Sequence, residues 1–203
     1  CGWSIGVAAF CYEIEGPSGH SGPGTGGLTT KLFWDYYDYT RDEDILKNIT
    51  YPTIHSMSKF LTKCVRDYDG EYLSVHSASP EQIIGGKWIM SLQVPPDFRT
   101  VNADKQPYYH TVGSAFDQQM FYENARDDLR CAEILGVSDE IIELEKKQIE
   151  HYSPVLIGYS GQIKEFREEN FYGEIGEAKH RHISQLVSLS PGDCPPREYI
   201  HIL

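Results

Sequence analysis

Phe33-Trp34-Asp35-Tyr36-Tyr37-Asp38-Tyr39-Thr40-Arg41-Asp42-Glu43, continuing through Tyr51-Pro52, is the stretch that decides the fold. Leu28 to Tyr39 predicts a helix with Leu32, Phe33, Tyr36 and Tyr37 on one side. Thr40-Arg41-Asp42-Glu43 has capping-box chemistry, a hydroxyl and a carboxylate able to satisfy backbone N–H groups left over at a helix start. It opens a second helix to about Thr50. Pro52 then begins a third, with Ile54, Met57, Leu61, Cys64 and Val65 at helical spacing. Helices joined by turns this short pack as antiparallel pairs.

Upstream, Gly16 to Gly27 holds six glycines and two prolines in twelve residues and reads as a loop. Gly22-Pro23-Gly24-Thr25-Gly26-Gly27 fits the spacing of a dinucleotide loop. The context does not, because Ser, Gly and His precede it and no parallel strand follows.

Downstream, Asp67-Tyr68-Asp69-Gly70 resembles half a calcium loop, but no Glu follows at the required distance and a turn is expected. Glu71 to His76 alternates as a short strand does. Gln82 to His110 has no clear period, as functional or mobile connections often lack one. Ser114-Ala115-Phe116-Asp117 caps a long helix bearing Phe116, Met120, Phe121, Ala132 and Leu135, stopped by Gly136. Ser138 is expected to cap the next, with Ile141, Ile142, Leu144 and Ile149. Pro154 to Gly158 and Gln162 to Phe166 predict a β-hairpin, and Ile183 to Leu189 a last short helix ended by Pro191-Gly192. The fold class is therefore mainly α. With no 34-residue repeat signature, an α/α toroid is favoured over a regular solenoid.

The composition, 40% hydrophobic and 24% charged over 203 residues, is that of a soluble globular domain. A formal net charge of −12 argues against nucleic acid and anionic membrane surfaces as partners, and leaves neutral hydroxyl-rich ligands unaffected. The 14 Tyr and 3 Trp suit sugar stacking, although core packing explains most aromatics. Cysteines stand at positions 1, 11, 64, 131 and 194, an odd number without a C-x-x-C pair, so neither a zinc site nor a disulfide framework is expected. Cys64 and Cys131 fall on apolar helix faces and are expected to be buried thiols.

Two segments carry chemistry. Ser77-Ala78-Ser79-Pro80-Glu81 sets one carboxylate on a constrained loop after the strand. His180-Arg181-His182-Ile183-Ser184 places cationic side chains at a helix start, where the dipole makes them mildly unfavourable and an acidic or ligand neighbour is expected. A carboxylic acid facing a polar cluster is what sugar cleavage needs on the leaving-group side. Read alone, Glu81 is also compatible with a solvated surface carboxylate, and Asp117 with a simple helix-start residue. His180 and His182 could ligate a metal, but no third ligand has matching spacing and none is expected.

Five blocks, in order, resemble glycoside hydrolase family 95, the α-L-fucosidases and relatives with an (α/α)6 catalytic barrel. They are Phe33 to Asp42; Tyr51-Pro52; Ser79-Pro80-Glu81; Asp117-Gln118-Gln119 with Ala132-Glu133-Ile134-Leu135-Gly136; and His180 to Ser184 with Ser190-Pro191-Gly192. The resemblance implies that residues 1–203 are part of one (α/α)6 barrel, cut at both ends, with the remainder of the parent chain as partner and a glycan as substrate. It implies Glu81 as general acid, and Arg181 and His182 as sugar contacts, with Asp117 and Gln119 near the site. It also implies that the motif positioning the attacking water and its Asp partner fall outside these residues. Gln185 stands where the family usually has His. The expected function is an inverting glycosidase acting on terminal α-L-fucosyl or α-L-galactosyl residues. A non-catalytic carbohydrate-binding helical module, or a related phosphorylase needing a basic phosphate pocket, are the alternatives.

Overall fold

The computed structural model describes residues 23–75, 77, 79–80, 83–84, 87–88, 112–152, 156–175 and 178–193, with backbone alone at 83–84 and 87–88. It is mainly helical with short antiparallel hairpins, as the sequence predicts. The helices are α1 (Gly24–Thr40), α2 (Glu43–Ile45), α3 (Tyr51–Leu61), α4 (Ala115–Leu135) and α5 (Glu140–Ile149). Helices α1, α3 and α4 pack on one another, and α5 lies against α4. Among the described residues, no helix is long and apolar enough to cross a membrane.

Helix α1 starts inside the glycine run, not after it, and its buried face is Gly27, Thr30, Lys31, Trp34 and Tyr37. Leu32 and Tyr36, expected to face inward, are 54% and 51% exposed. The cause is proximity: a Cβ on Gly27 would sit 2.5 Å from the Met120 carbonyl oxygen, so α1 and α4 touch backbone to backbone along small residues. Helix α1 closes at Thr40 because Arg41 turns left-handed (φ 55°) and its N–H returns to the Tyr37 carbonyl. The next N-cap is Asp42, not Thr40; its carboxylate accepts from Ile45 N–H at 3.0 Å.

The second and third expected helices are one run. Glu43–Ile45 passes through a π-turn, Leu46–Thr50, into α3, and Tyr51 N–H donates to the Leu46 carbonyl five residues back. Pro52 has no N–H to offer that register, and the widened turn precedes it directly. Cys64 and Val65 lie beyond the α-helix, which ends at Leu61. A 3₁₀ turn at Thr62–Cys64 leads into β1 (Val65–Tyr68), which pairs with β2 (Glu71–Ser74). Asp69 and Gly70 both have positive φ, as a two-residue hairpin requires, and the Asp67 carboxylate accepts from Gly70 N–H at 2.7 Å. Of the hairpin expected at 154–166, the described residues show one antiparallel bridge, Ile157 to Ile163, closed by Gly158 N–H to Gln162 O. A further pair, β3 (Ile83–Ile84) and β4 (Lys87–Trp88), lies in the stretch read as aperiodic.

Ser114 caps α4 and left-handed Gly136 ends it, as predicted. Asp139, one residue after Ser138, caps α5 through Ile141 and Ile142 N–H. The expected helix at 183–189 is a 3₁₀ turn, Ser184–Leu186, followed by further turns. Cys131 is fully buried within the cluster of Trp34, Tyr37, Leu46 and Ile54, whereas Cys64 is only half-buried.

Between α1, α3 and α4 runs a polar seam. Thr30 donates to Asn124 at 2.7 Å, and Asn124 donates to Ser58 at 2.8 Å. His55 on α3 joins Asp128 on α4 and the α5 cap Asp139, each at 2.9 Å. These directional bonds add to the apolar packing of the same helices in fixing their relative rotation.

Candidate active site

The candidate site is built around the first turns of α4. Asp117 is fully buried and its two oxygens serve two distant segments. Oδ1 accepts from Gly24 N–H at 2.8 Å, supplying a partner for one of the free amides at the start of α1. Oδ2 accepts from the Ser77 hydroxyl at 2.7 Å. Ser77 Oγ in turn accepts from Ser114 N–H at 2.9 Å, so the first turn of α4 and the loop after β2 share one knot. Gln118 clamps the same loop from behind: its carbonyl oxygen accepts from Ser74 N–H at 2.7 Å and its amide donates to the Tyr72 carbonyl.

Ser79, two residues along, is also buried and donates to the Glu165 carboxylate. Glu165 belongs to the segment after the Ile157–Ile163 bridge, and its own carbonyl accepts from Ala115 N–H at 3.0 Å. The loop entering Ser79-Pro80 is thus pinned at two alternate serines, one to α4 and one to a segment itself pinned to α4. Glu81 lies outside the described residues.

Through Gln119, α4 also holds the turn that follows the cationic segment. Gln119 donates to the Gln185 carbonyl at 2.9 Å, and its oxygen accepts from Ser188 N–H at 3.0 Å. Arg181 is exposed and His182 half-buried; the rings of His180 and His182 meet edge to face with centroids 4.9 Å apart. Asp117 and Gln119, each read as near a site, therefore have their side chains engaged inside the protein, while Arg181 stands at the surface. Among the described residues no group of three His, Cys, Asp or Glu is arranged to hold a metal ion.

A charged cluster flanks this arrangement. Lys31 on α1 contacts Asp35 and Asp193, and Arg126 on α4 contacts Asp127 and Asp193. Glu123, beneath Gly192, has no hydrogen-bond partner for either oxygen among the described residues. Burial pushes its carboxyl up to about 7, against the opposing pull of Arg126. Burial likewise raises Asp127 to about 6. Gly192 leaves no room for a side chain: a Cβ there would strike Glu123 and the Val187 carbonyl.

Sequence reading missed Glu165 and the clamping role of Gln118. Their contacts span 86 and 44 residues; Glu165 lies in no motif, and the Asp117-Gln118-Gln119 block says nothing locally of what Gln118 clamps. The one available signal was the run of small hydroxyl residues, Ser74, Ser77 and Ser79, at a point where the chain turns inward.

The glycosyl hydrolase family 95 catalytic domain matches residues 5–198 of the chain. Alpha-L-fucosidase 2 of Arabidopsis thaliana is 29% identical over 161 residues. That match covers 78% of this chain and 17% of the fucosidase, so the chain spans a small part of the length of the curated relative it matches.

Proposed function

The chain belongs to glycosyl hydrolase family 95, and from that premise we propose that the protein cleaves terminal α-L-fucosyl, or α-L-galactosyl, residues from glycans with inversion. In this reading residues 1–203 are part of an (α/α)6 barrel. Glu81 protonates the leaving oxygen, while Arg181 and His182 bind the sugar. The arginine fork donates to ring hydroxyls, and imidazole donates or accepts near neutral pH. Asp117 and Gln119 serve the site from within, by fixing the acid loop and the turn that follows Arg181 and His182.

One observation supports this reading most. The loop entering Glu81 and the turn that follows Arg181 and His182 are both bonded to the first turns of α4, through Ser77 to Asp117 and Gln119 to Gln185. A binding module has no need to anchor an acid loop on the same helix turns that hold the turn after a cationic segment. A phosphorylase would need a basic pocket in addition.

Glu81→Gln in the intact enzyme tests it. Gln is nearly isosteric but cannot deliver a proton, so kcat on an unactivated fucoside should fall by about 10²–10⁴-fold with little change in KM. The loss should shrink for a fluoride or aryl leaving group, and the basic limb of the pH–rate profile should disappear. A rate within about twofold of wild type would remove Glu81 from the acid role. Sugar binding without turnover by the wild type would favour the binding module.

A further inference from the structure

We propose that Glu165 is a positioning residue for the general acid, acting through Ser79. This rests on the assignment of Glu81 as that acid.

A general acid must come within about 2.6–3.2 Å of the oxygen it protonates. Displacement by about 1 Å can cost on the order of 10²-fold in rate. The backbone leading to the acid therefore has to be held by something more rigid than its own loop. Two struts do this. The Ser77 strut runs to Asp117 and Ser114. The Ser79 strut runs to Glu165 and holds the residue directly before Pro80, whose ring restricts its own φ.

Glu165 is built for that task. It is 2% exposed, as is Ser79, so the bond between them is shielded from water. Its backbone is held at both ends: its N–H donates to the Glu169 carboxylate at 2.6 Å, and its carbonyl accepts from Ala115 N–H. Phe166 next to it is fully buried. A carboxylate fixed in this way can hold a serine hydroxyl in one place, and gives the acid loop a footing on α4 independent of Ser77.

The experiment uses the intact enzyme and two fucosides, one with a poor leaving group and one activated as the fluoride. Ser79→Ala and Glu165→Ala should each lower kcat on the poor substrate by about 10–100-fold, with KM and the fluoride rate within about threefold of wild type. Glu165→Gln, whose amide carbonyl can still accept from Ser79, should recover most of that loss. The double variant Ser79→Ala/Glu165→Ala should be no worse than the poorer single one, because both remove the same strut.

Equal losses on both substrates, additive losses, or a Gln variant as poor as Ala would overturn the proposal. If Glu165→Ala does not fold, the leaving-group dependence of Ser79→Ala decides alone. Glu81→Gln in the same assay separates the two layers. If it shows leaving-group dependence and Ser79→Ala does not, only the strut falls. If Glu81→Gln shows none, the acid assignment falls and the strut with it.

Discussion

Glu123 shows how far one side chain can be driven by what surrounds it. Its carboxyl is 1% exposed, lacks a hydrogen-bond donor among the described residues and lies among Arg126 and Asp127 of its own helix, Lys31 of α1 and Asp193 of the turn after Gly192. Burial wins over the two cations, and the folded pKa rises from 4.5 to about 7. The folded state then holds a proton that the unfolded state has released across that interval. Stability is therefore fully present below about 4.5 and declines as pH rises through about 7. Glu123→Gln should flatten the decline and stabilise the protein at pH 8 by on the order of 2 kcal/mol, with a smaller difference at pH 5.5. Asp127, also raised by burial, keeps a residual slope of the same sign. Urea unfolding of both proteins at the two pH values checks this; an unchanged pH slope would mean that Glu123 is ionised in the fold. Nothing in the sequence marks Glu123, because its environment is made by residues from three separate segments.

At the scale of elements, periodicity and caps located most helices but misjudged how they meet. The glycine run reads as a loop by composition, yet its last four residues before Leu28 include the tightest contact with α4. Small residues at a helix interface leave no apolar stripe, so the 3.6-residue pattern in α1 pointed to Leu32 and Tyr36, which face outward. The π-turn at Leu46–Thr50 was equally invisible, since Pro52 looks like a helix start whether or not a helix precedes it. Gly27→Ala tests the interface reading. Ala gains about 1 kcal/mol in helix propensity. Its Cβ would lie 2.5 Å from the Met120 carbonyl oxygen, a backbone atom that cannot rotate away. Overpacking should win, with a net loss of about 1–3 kcal/mol in urea unfolding. A variant as stable as wild type would show that α1 and α4 can separate freely there.

Across the whole molecule, the first turns of α4 act as the common anchor. They hold the start of α1 through Gly24, β2 and its following loop through Ser74 and Ser77, and the turn beyond His182 through Gln185 and Ser188. The sequence showed the participating segments, because each has a local motif. It could not show their joining, because Gly24 and Asp117 are 93 residues apart and a buried carboxylate looks like any helix-start Asp. Asp117 is where the two readings of that residue separate. As an internal anchor, it satisfies two buried donors, Gly24 N–H and the Ser77 hydroxyl. Asp117→Ala would orphan the Gly24 N–H and shift the Ser77 hydroxyl onto Ser114 Oγ, 2.8 Å away, so a loss on the order of 1–3 kcal/mol is expected in urea unfolding. In the intact enzyme kcat should fall, because the Ser77 strut of the acid loop goes with it, while KM stays within about threefold. As a sugar contact, its removal would instead raise KM by about tenfold or more and leave unfolding nearly unchanged. Its complete burial and its two short bonds favour the first outcome; a raised KM with wild-type stability would transfer Asp117 from the scaffold to the sugar.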